Sequence, residues 1–166
     1  MCNELRSGKL IGYFFAIPCS IVTLVSFYQS GNSLGFLLLA FVFGLGAAVG
    51  LNLLLHPKTL VSVNDNVLEL YSGSLFRNNK LIVVPLDNLA RFEVRTVTDL
   101  DGSSWILSLY LYQEQSISKE AKDWIASTVP DSVTRQASDT TIHWSLTWPE
   151  GGVKGAEQKL RELIGG

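Results

Sequence analysis

Leu34 to Leu55 reads LGFLLLAFVFGLGAAVGLNLLL, 22 residues without a charge, and stops at His56-Pro57. A helix rises about 1.5 Å per residue, so this run reaches about 33 Å and can cross a hydrocarbon core of about 30 Å with some tilt. The stretch predicts a membrane span. The residues before it then supply a partner helix, and the residues after it a compact soluble domain.

Toward the N-terminus, Leu10 to Tyr28 is a second uncharged run, 19 residues long, with the interior IGYFFAIPCSIVTLVSFY. It is just long enough to span. A cleaved signal peptide is the alternative, with Arg6 and Lys9 as its basic start. Against it, the apolar run exceeds an ordinary signal core, lacks an A-x-A site and is soon followed by a second span. Gln29-Ser30-Gly31-Asn32-Ser33 leaves room only for a tight turn, so the two spans are expected to be antiparallel neighbours. Arg6 and Lys9 precede the first span and Lys58 follows the second, while the loop carries no charge. The positive-inside rule then places both termini in the cytoplasm of an integral membrane protein.

In lipid, helices associate through close backbone approach, which small residues permit. The first span offers Gly12, Ala16 and Ser20. The second offers Ala40, Gly44 and Ala48 on one ridge, with Gly46-x-x-x-Gly50 beside it. Gly44, Gly46 and Gly50 are therefore helix-packing positions, and two readings stay open. Either these ridges only pack the hairpin, or the ridge at Gly46 and Gly50 receives a helix of an integral membrane partner. Pro18 is expected to kink the first span, with Ser20 or Thr23 bonding the carbonyls it releases. Neither span holds an ionisable acid or base, which leaves an ion path or proton relay without a carrier.

The whole chain has 166 residues, 47% hydrophobic and 17% charged, enough for one ordinary domain and a small anchor. We divide it into a transmembrane hairpin over 1–57 and a soluble domain over 58–166. The latter carries 11 basic and 14 acidic side chains. A mildly acidic domain argues against nucleic acid as a partner and has no bulk attraction to anionic lipid. Cys2 and Cys19 cannot form a disulfide framework for it.

Strand signals follow at once. Thr59 to Val63 and Val67 to Tyr71 are β-rich and flank Asn64-Asp65-Asn66, residues that tolerate the positive φ of a hairpin turn. Leu81 to Val84 is apolar and stops at Pro85. In Ala90 to Arg95, Phe92 and Val94 point inward while Arg91, Glu93 and Arg95 point outward. Trp105 to Tyr112 places Trp105, Leu107, Leu109 and Leu111 on one face. Thr141 to Trp148 alternates strictly, with Ile142, Trp144, Leu146 and Trp148 inward and His143 and Ser145 outward. Ser118 can cap a helix running to about Ser127, and Pro130 forbids its continuation into Asp131. Val153 to Ile164 carries an apolar stripe that should lie against the sheet, with Trp144 between the two. The fragment Asp99-Leu100-Asp101-Gly102 reads as a turn, since a calcium loop needs further ligands and a distal Glu that are absent.

The runs Leu60-Val61-Ser62-Val63-Asn64-Asp65-Asn66-Val67-Leu68-Glu69-Leu70 and Val84-Pro85-Leu86-Asp87-Asn88-Leu89-Ala90-Arg91-Phe92-Glu93-Val94, followed by a C-terminal amphipathic helix, resemble the pleckstrin-homology-like (PH-like) domain that bacteria append to short membrane hairpins. That resemblance implies an α+β fold: a two-helix transmembrane hairpin, then an antiparallel β-sheet or open barrel with a C-terminal helix. The insertion from Ser116 to Thr140 departs from the simplest form of the family. Photosystem I assembly proteins of cyanobacteria and plastids are similar in outline, so the membrane is expected to be a plasma (inner) or thylakoid membrane. Lipid binding through a basic first hairpin does not carry over, because the turn here is Asn64-Asp65-Asn66.

The sequence has no Gly-rich phosphate loop and no Cys/His metal spacing, and its two histidines are His56 and His143. Trp144-Ser145-Leu146 does not supply the strained turn of a nucleophilic serine. No catalytic residue, cofactor, metal or small-molecule substrate is therefore assigned. The expectation is a non-catalytic, membrane-anchored binding module, an assembly factor or accessory subunit of a larger membrane complex. The alternative is recognition of lipid or a membrane surface, with Arg77, Lys80, Arg91 and Arg95 as the contacts.

Overall fold

The computed structural model describes residues 4–29, 34–72, 78–99, 102–134 and 138–165. They fall into two compact units, one over Gly8–Pro57 and one that combines residues 4–7 with residues 58–165.

The first unit is a pair of helices, α1 (Leu10–Gln29) and α2 (Leu34–Leu55). Both are long and apolar enough to cross a membrane. Their contacts run in opposite chain directions: Gly12 lies beside Leu54 and Gly50, Cys19 beside Gly46, and Thr23 beside Gly44. The pair is thus antiparallel, with its small residues turned inward. The turn expected at Gln29 to Ser33 falls mostly at 30–33, outside the described residues. Pro18 sits within α1, where it removes the hydrogen bond to the Phe14 carbonyl. Thr23 Oγ1 donates to the Cys19 carbonyl at 2.7 Å. It therefore does not serve the carbonyl that Pro18 releases.

The second unit contains two antiparallel sheets. Strands β1 (Glu4–Arg6), β2 (Thr59–Asn64), β3 (Val67–Tyr71) and β4 (Lys80–Pro85) form the first in that order. Strands β5 (Leu89–Asp99), β6 (Gly102–Leu111) and β7 (Thr141–Ser145) form the second. Among the described residues neither closes into a barrel. The β2–β3 turn takes the expected form, with φ of +48° at Asp65 and +65° at Asn66. Among the described residues the unit also has a 3-10 turn at Leu86–Asn88 and three α-helices: α3 (Lys119–Thr128), a single turn α4 (Asp131–Thr134) and α5 (Gly152–Ile164). Ser118 Oγ accepts from the Ala121 N–H at 3.2 Å and so caps α3. Pro130 ends α3 and at the same time opens α4.

Strand β1 is the main departure from the sequence reading, which gave residues 1–57 wholly to the hairpin. Glu4 pairs with Ser62 and Leu5 with Val61, and Leu5 is only 2% exposed. The segment just beyond β1 is fastened as well. The Ser7 N–H donates to the Lys58 carbonyl at 2.7 Å, and the Lys58 N–H donates to Ser7 Oγ at 2.9 Å. The helix pair is thus inserted in sequence between two neighbouring strands of one sheet.

The last strand also differs. It ends at Ser145, with one further bond to β6, from the Leu146 N–H to the facing Trp105 carbonyl at 2.8 Å. Trp148, expected inside, is 45% exposed, and its φ of +50° is uncommon for so bulky a residue. Trp144 is fully buried, and its ring lies 6.3 Å from that of Trp124 on α3. The inserted helix thus supplies its aromatic neighbour, while Leu160 of α5 belongs to the same core.

Candidate functional site

The sheet β5–β6–β7 has two faces set by its register. Val94 opposite Leu107 opposite Trp144, and Phe92 opposite Leu109 opposite Ile142, belong to the main core. The other face is built of rows: Arg91, Tyr110 and Thr141; Glu93, Ser108 and His143; Arg95, Ile106 and Ser145. The sequence pattern makes this the wet face. The structure corrects that, because Ile106 packs with Val129 and Val133 in a second apolar cluster, so the 116–140 insertion covers part of it. Ser108 is fully buried and His143 is 5% exposed.

Under that cover, Ser108 Oγ lies 3.0 Å from His143 Nδ1. Burial, and then the charge of Arg95, hold the imidazole below its ordinary pKa. The neutral ring is therefore favoured. At the open end of the face, the Arg91 guanidinium stacks over Tyr110, 4.1 Å from the ring centroid. The Tyr110 hydroxyl donates to Glu93 at 3.4 Å.

Of the four cations named as lipid contacts, Arg91 and Arg95 share this face. Lys80 lies on the other sheet and is already engaged, its Nζ donating to Glu69 Oε1 at 2.9 Å. Arg77 lies outside the described residues. The Glu69 carboxylate is the hub of a cross-strand network, since Oε2 also accepts from Ser62 Oγ at 2.9 Å and from the Tyr71 hydroxyl at 2.8 Å. The bond from Lys80, followed by that from Tyr71, lowers Glu69 to a pKa of about 2.

The three glycines are also placed. A methyl group at Gly46 would stand 2.9 Å from Cys19 Sγ, and one at Gly50 would stand 2.9 Å from Ala16 Cα, whereas at Gly44 the nearest atom is Thr23 Cγ2 at 3.8 Å. Gly46 and Gly50 therefore face α1 of the same chain. Their ridge is occupied within the helix pair.

Two features escaped the sequence reading. The Ser108–His143 pair reads as two ordinary positions on wet strands, because the cover is contributed by Val129 and Val133, which belong to neither strand. The cleft of about 460 Å³ at Trp105 and Trp148, lined also by Ser104 and Ser145, depends on Trp148 leaving the strand. The two indoles meet edge to face at 5.1 Å.

No protein family, curated protein or solved structure matches this chain.

Proposed function

We propose that the chain is a non-catalytic, membrane-anchored binding module, an assembly factor or accessory subunit of a larger membrane complex, whose second unit is a PH-like domain. The observation that carries the membrane part is the surface of the helix pair. Phe14 is 75% exposed, Leu24 70%, Phe27 66% and Phe41 66%, and residues 10–55 hold no charge to offset them. So much contiguous apolar surface is stable in lipid and not in water. The β1–β2 pairing supports a common side for both flanks of the hairpin, since a backbone ladder cannot form across a bilayer. It also supports retention of the N-terminus over cleavage, because Leu5 belongs to the core of the second unit. Lys9 and Lys58 favour the cytoplasmic side. Two antiparallel sheets followed by an amphipathic C-terminal helix support the PH-like reading.

The binding-module reading draws on what the second unit lacks chemically at its most suggestive pair: Ser108 is fully buried, so its hydroxyl cannot reach a substrate. Copurification from mild detergent tests it. A stoichiometric membrane-protein partner is the expected result, and repeated recovery of the chain alone counts against it. A second reading, recognition of an anionic membrane surface, is favoured by Arg91 and Arg95 lying on one face. Association of the full chain with anionic rather than zwitterionic vesicles, lost in Arg91→Gln/Arg95→Gln, would select it.

A further inference from the structure

Trp148 stands apart from the other three tryptophans. Trp144 is fully buried, whereas Trp148 is 45% exposed on a backbone whose φ is +50°. A bulky side chain in the left-handed region is strained, and such strain persists where the surrounding structure imposes it. Here the chain is held on either side. Leu146 is 1% exposed within the main core. Pro149 bridges to Ser7, and the Glu150 N–H donates to the Arg6 carbonyl at 3.0 Å. Between those two anchors the indole turns outward, meeting Trp105 edge to face at 5.1 Å beside the cleft of about 460 Å³.

The bridge to Ser7 limits how far this edge can lie from lipid. Ser7 precedes α1 by three residues, and Lys58, bonded to Ser7, follows α2 by three. Three residues of extended chain cover about 11 Å, and an antiparallel bridge sets its two Cα atoms about 5 Å apart. Chain length alone therefore keeps the Trp148 backbone within about 20 Å of the first residue of α1. The cleft has a matching chemistry. Ser103, Ser104, Ser145 and Thr147 offer hydroxyls beside the two indoles, and no acid or base among the described residues lines it. Uncharged donors next to an exposed aromatic ring suit the ester layer of a phospholipid bilayer, where the ring meets hydrocarbon and its N–H meets water or an ester oxygen.

We propose that Trp148, with Trp105 behind it, inserts into the interfacial layer of the bilayer that α1 and α2 cross, and so seats the second unit on lipid independently of lipid charge. This seating rests on the reading of the helix pair as a membrane anchor. It needs no anionic headgroup, unlike recognition through Arg91 and Arg95.

Four tryptophans give four ¹⁹F signals when the full chain is labelled with fluorotryptophan and placed in zwitterionic nanodiscs. Trp148→Phe assigns the signal at 148, or Trp148→Tyr where the first variant does not accumulate. A phospholipid with a nitroxide near the top of its acyl chain should remove most of the Trp148 intensity, affect Trp105 next and change Trp144 least. The same order in anionic nanodiscs supports a seating that ignores charge, whereas attenuation confined to anionic lipid would overturn it in favour of the arginine face. Resistance of the full chain to alkaline carbonate extraction from zwitterionic vesicles reads the spans separately. A resistant protein whose Trp148 signal keeps its intensity beside the nitroxide lipid would refute the insertion and leave the anchor standing. Release by carbonate would remove the anchor, and the insertion with it.

Discussion

The α1–α2 contact makes a position-specific prediction about adding a single methyl group. At Gly44 the new Cβ would lie 3.8 Å from Thr23 Cγ2, an ordinary contact, so Gly44→Ala should gain the helix propensity of alanine, up to about 1 kcal/mol. At Gly50 the Cβ would stand 2.9 Å from both Ala16 Cα and the Gly12 carbonyl oxygen, and it would also meet the Ala16 backbone nitrogen. Backbone cannot rotate away, and carbon atoms settle at about 3.5 to 4.0 Å, so the helices must part by on the order of 0.6 to 1 Å. A gap of that size forfeits roughly a quarter to a half of the dispersion attraction across the contact. Lipid returns no hydrophobic gain for it. Taking overpacking at about 1 to 3 kcal/mol, Gly50→Ala should be less stable than Gly44→Ala by about 2 to 4 kcal/mol. Gly46→Ala should fall between, because its obstacle is the tip of the Cys19 side chain. The assay is SDS titration of the full chain in mild-detergent micelles. Fluorescence transfer between labels carried by unnatural amino acids at Tyr13 and Leu51, both more than half exposed, follows helix separation with Cys19 kept in place. Equal stability of the Gly44 and Gly50 variants, or the reverse order, would refute the packing argument.

Glu69, with a pKa of about 2 against an ordinary 4.5, contributes stability that is present above pH 4.5 and is lost as the pH falls toward 2. The full shift corresponds to about 3 kcal/mol. Lys80 is half exposed, so solvent screening leaves about 1 to 2 kcal/mol; the stability advantage over Glu69→Gln should shrink to near zero by pH 2, and an advantage independent of pH would contradict it. Trp144→Ala opens a cavity at a fully buried site and should cost about 3 to 5 kcal/mol, read as protease sensitivity of residues 58–166 in the intact protein. Leu5→Ala should cost about 2 to 5 kcal/mol and expose the second unit to proteolysis, whereas a neutral effect would mean that β1 does not pair with β2. For topology, a cysteine at Ser30 should react with an impermeant reagent from outside, while a reporter after Gly166 should be active only in the cytoplasm.

Much of the architecture follows from short-range signals. A run of 22 uncharged residues is long and apolar enough to cross a membrane as one helix, and its bounds as a helix, Leu34–Leu55, agree with the uncharged run. The β2–β3 hairpin follows from Asp65 and Asn66, which accept positive φ within two residues of each other. The Ser118 cap is likewise local, since the hydroxyl bonds an N–H three residues on. In each case the residues that carry the signal also form the contact.

What the sequence could not decide depends on partners far along the chain. Glu4 to Arg6 is too short to show a strand period, and its pairing partners in β2 lie more than 50 residues away, beyond two helices. The alternation of Thr141 to Ser145 determines which side chains share a face but not which face is covered. His143 is buried because the insertion brings Val129 and Val133 onto Ile106, and Lys80 is engaged because the β3–β4 pairing sets it opposite Tyr71, within reach of Glu69. Small residues in α2 marked where a helix can approach closely. Only the packed pair decides that Gly46 and Gly50 are filled by α1, because close approach is a property of two surfaces together and neither helix carries it alone.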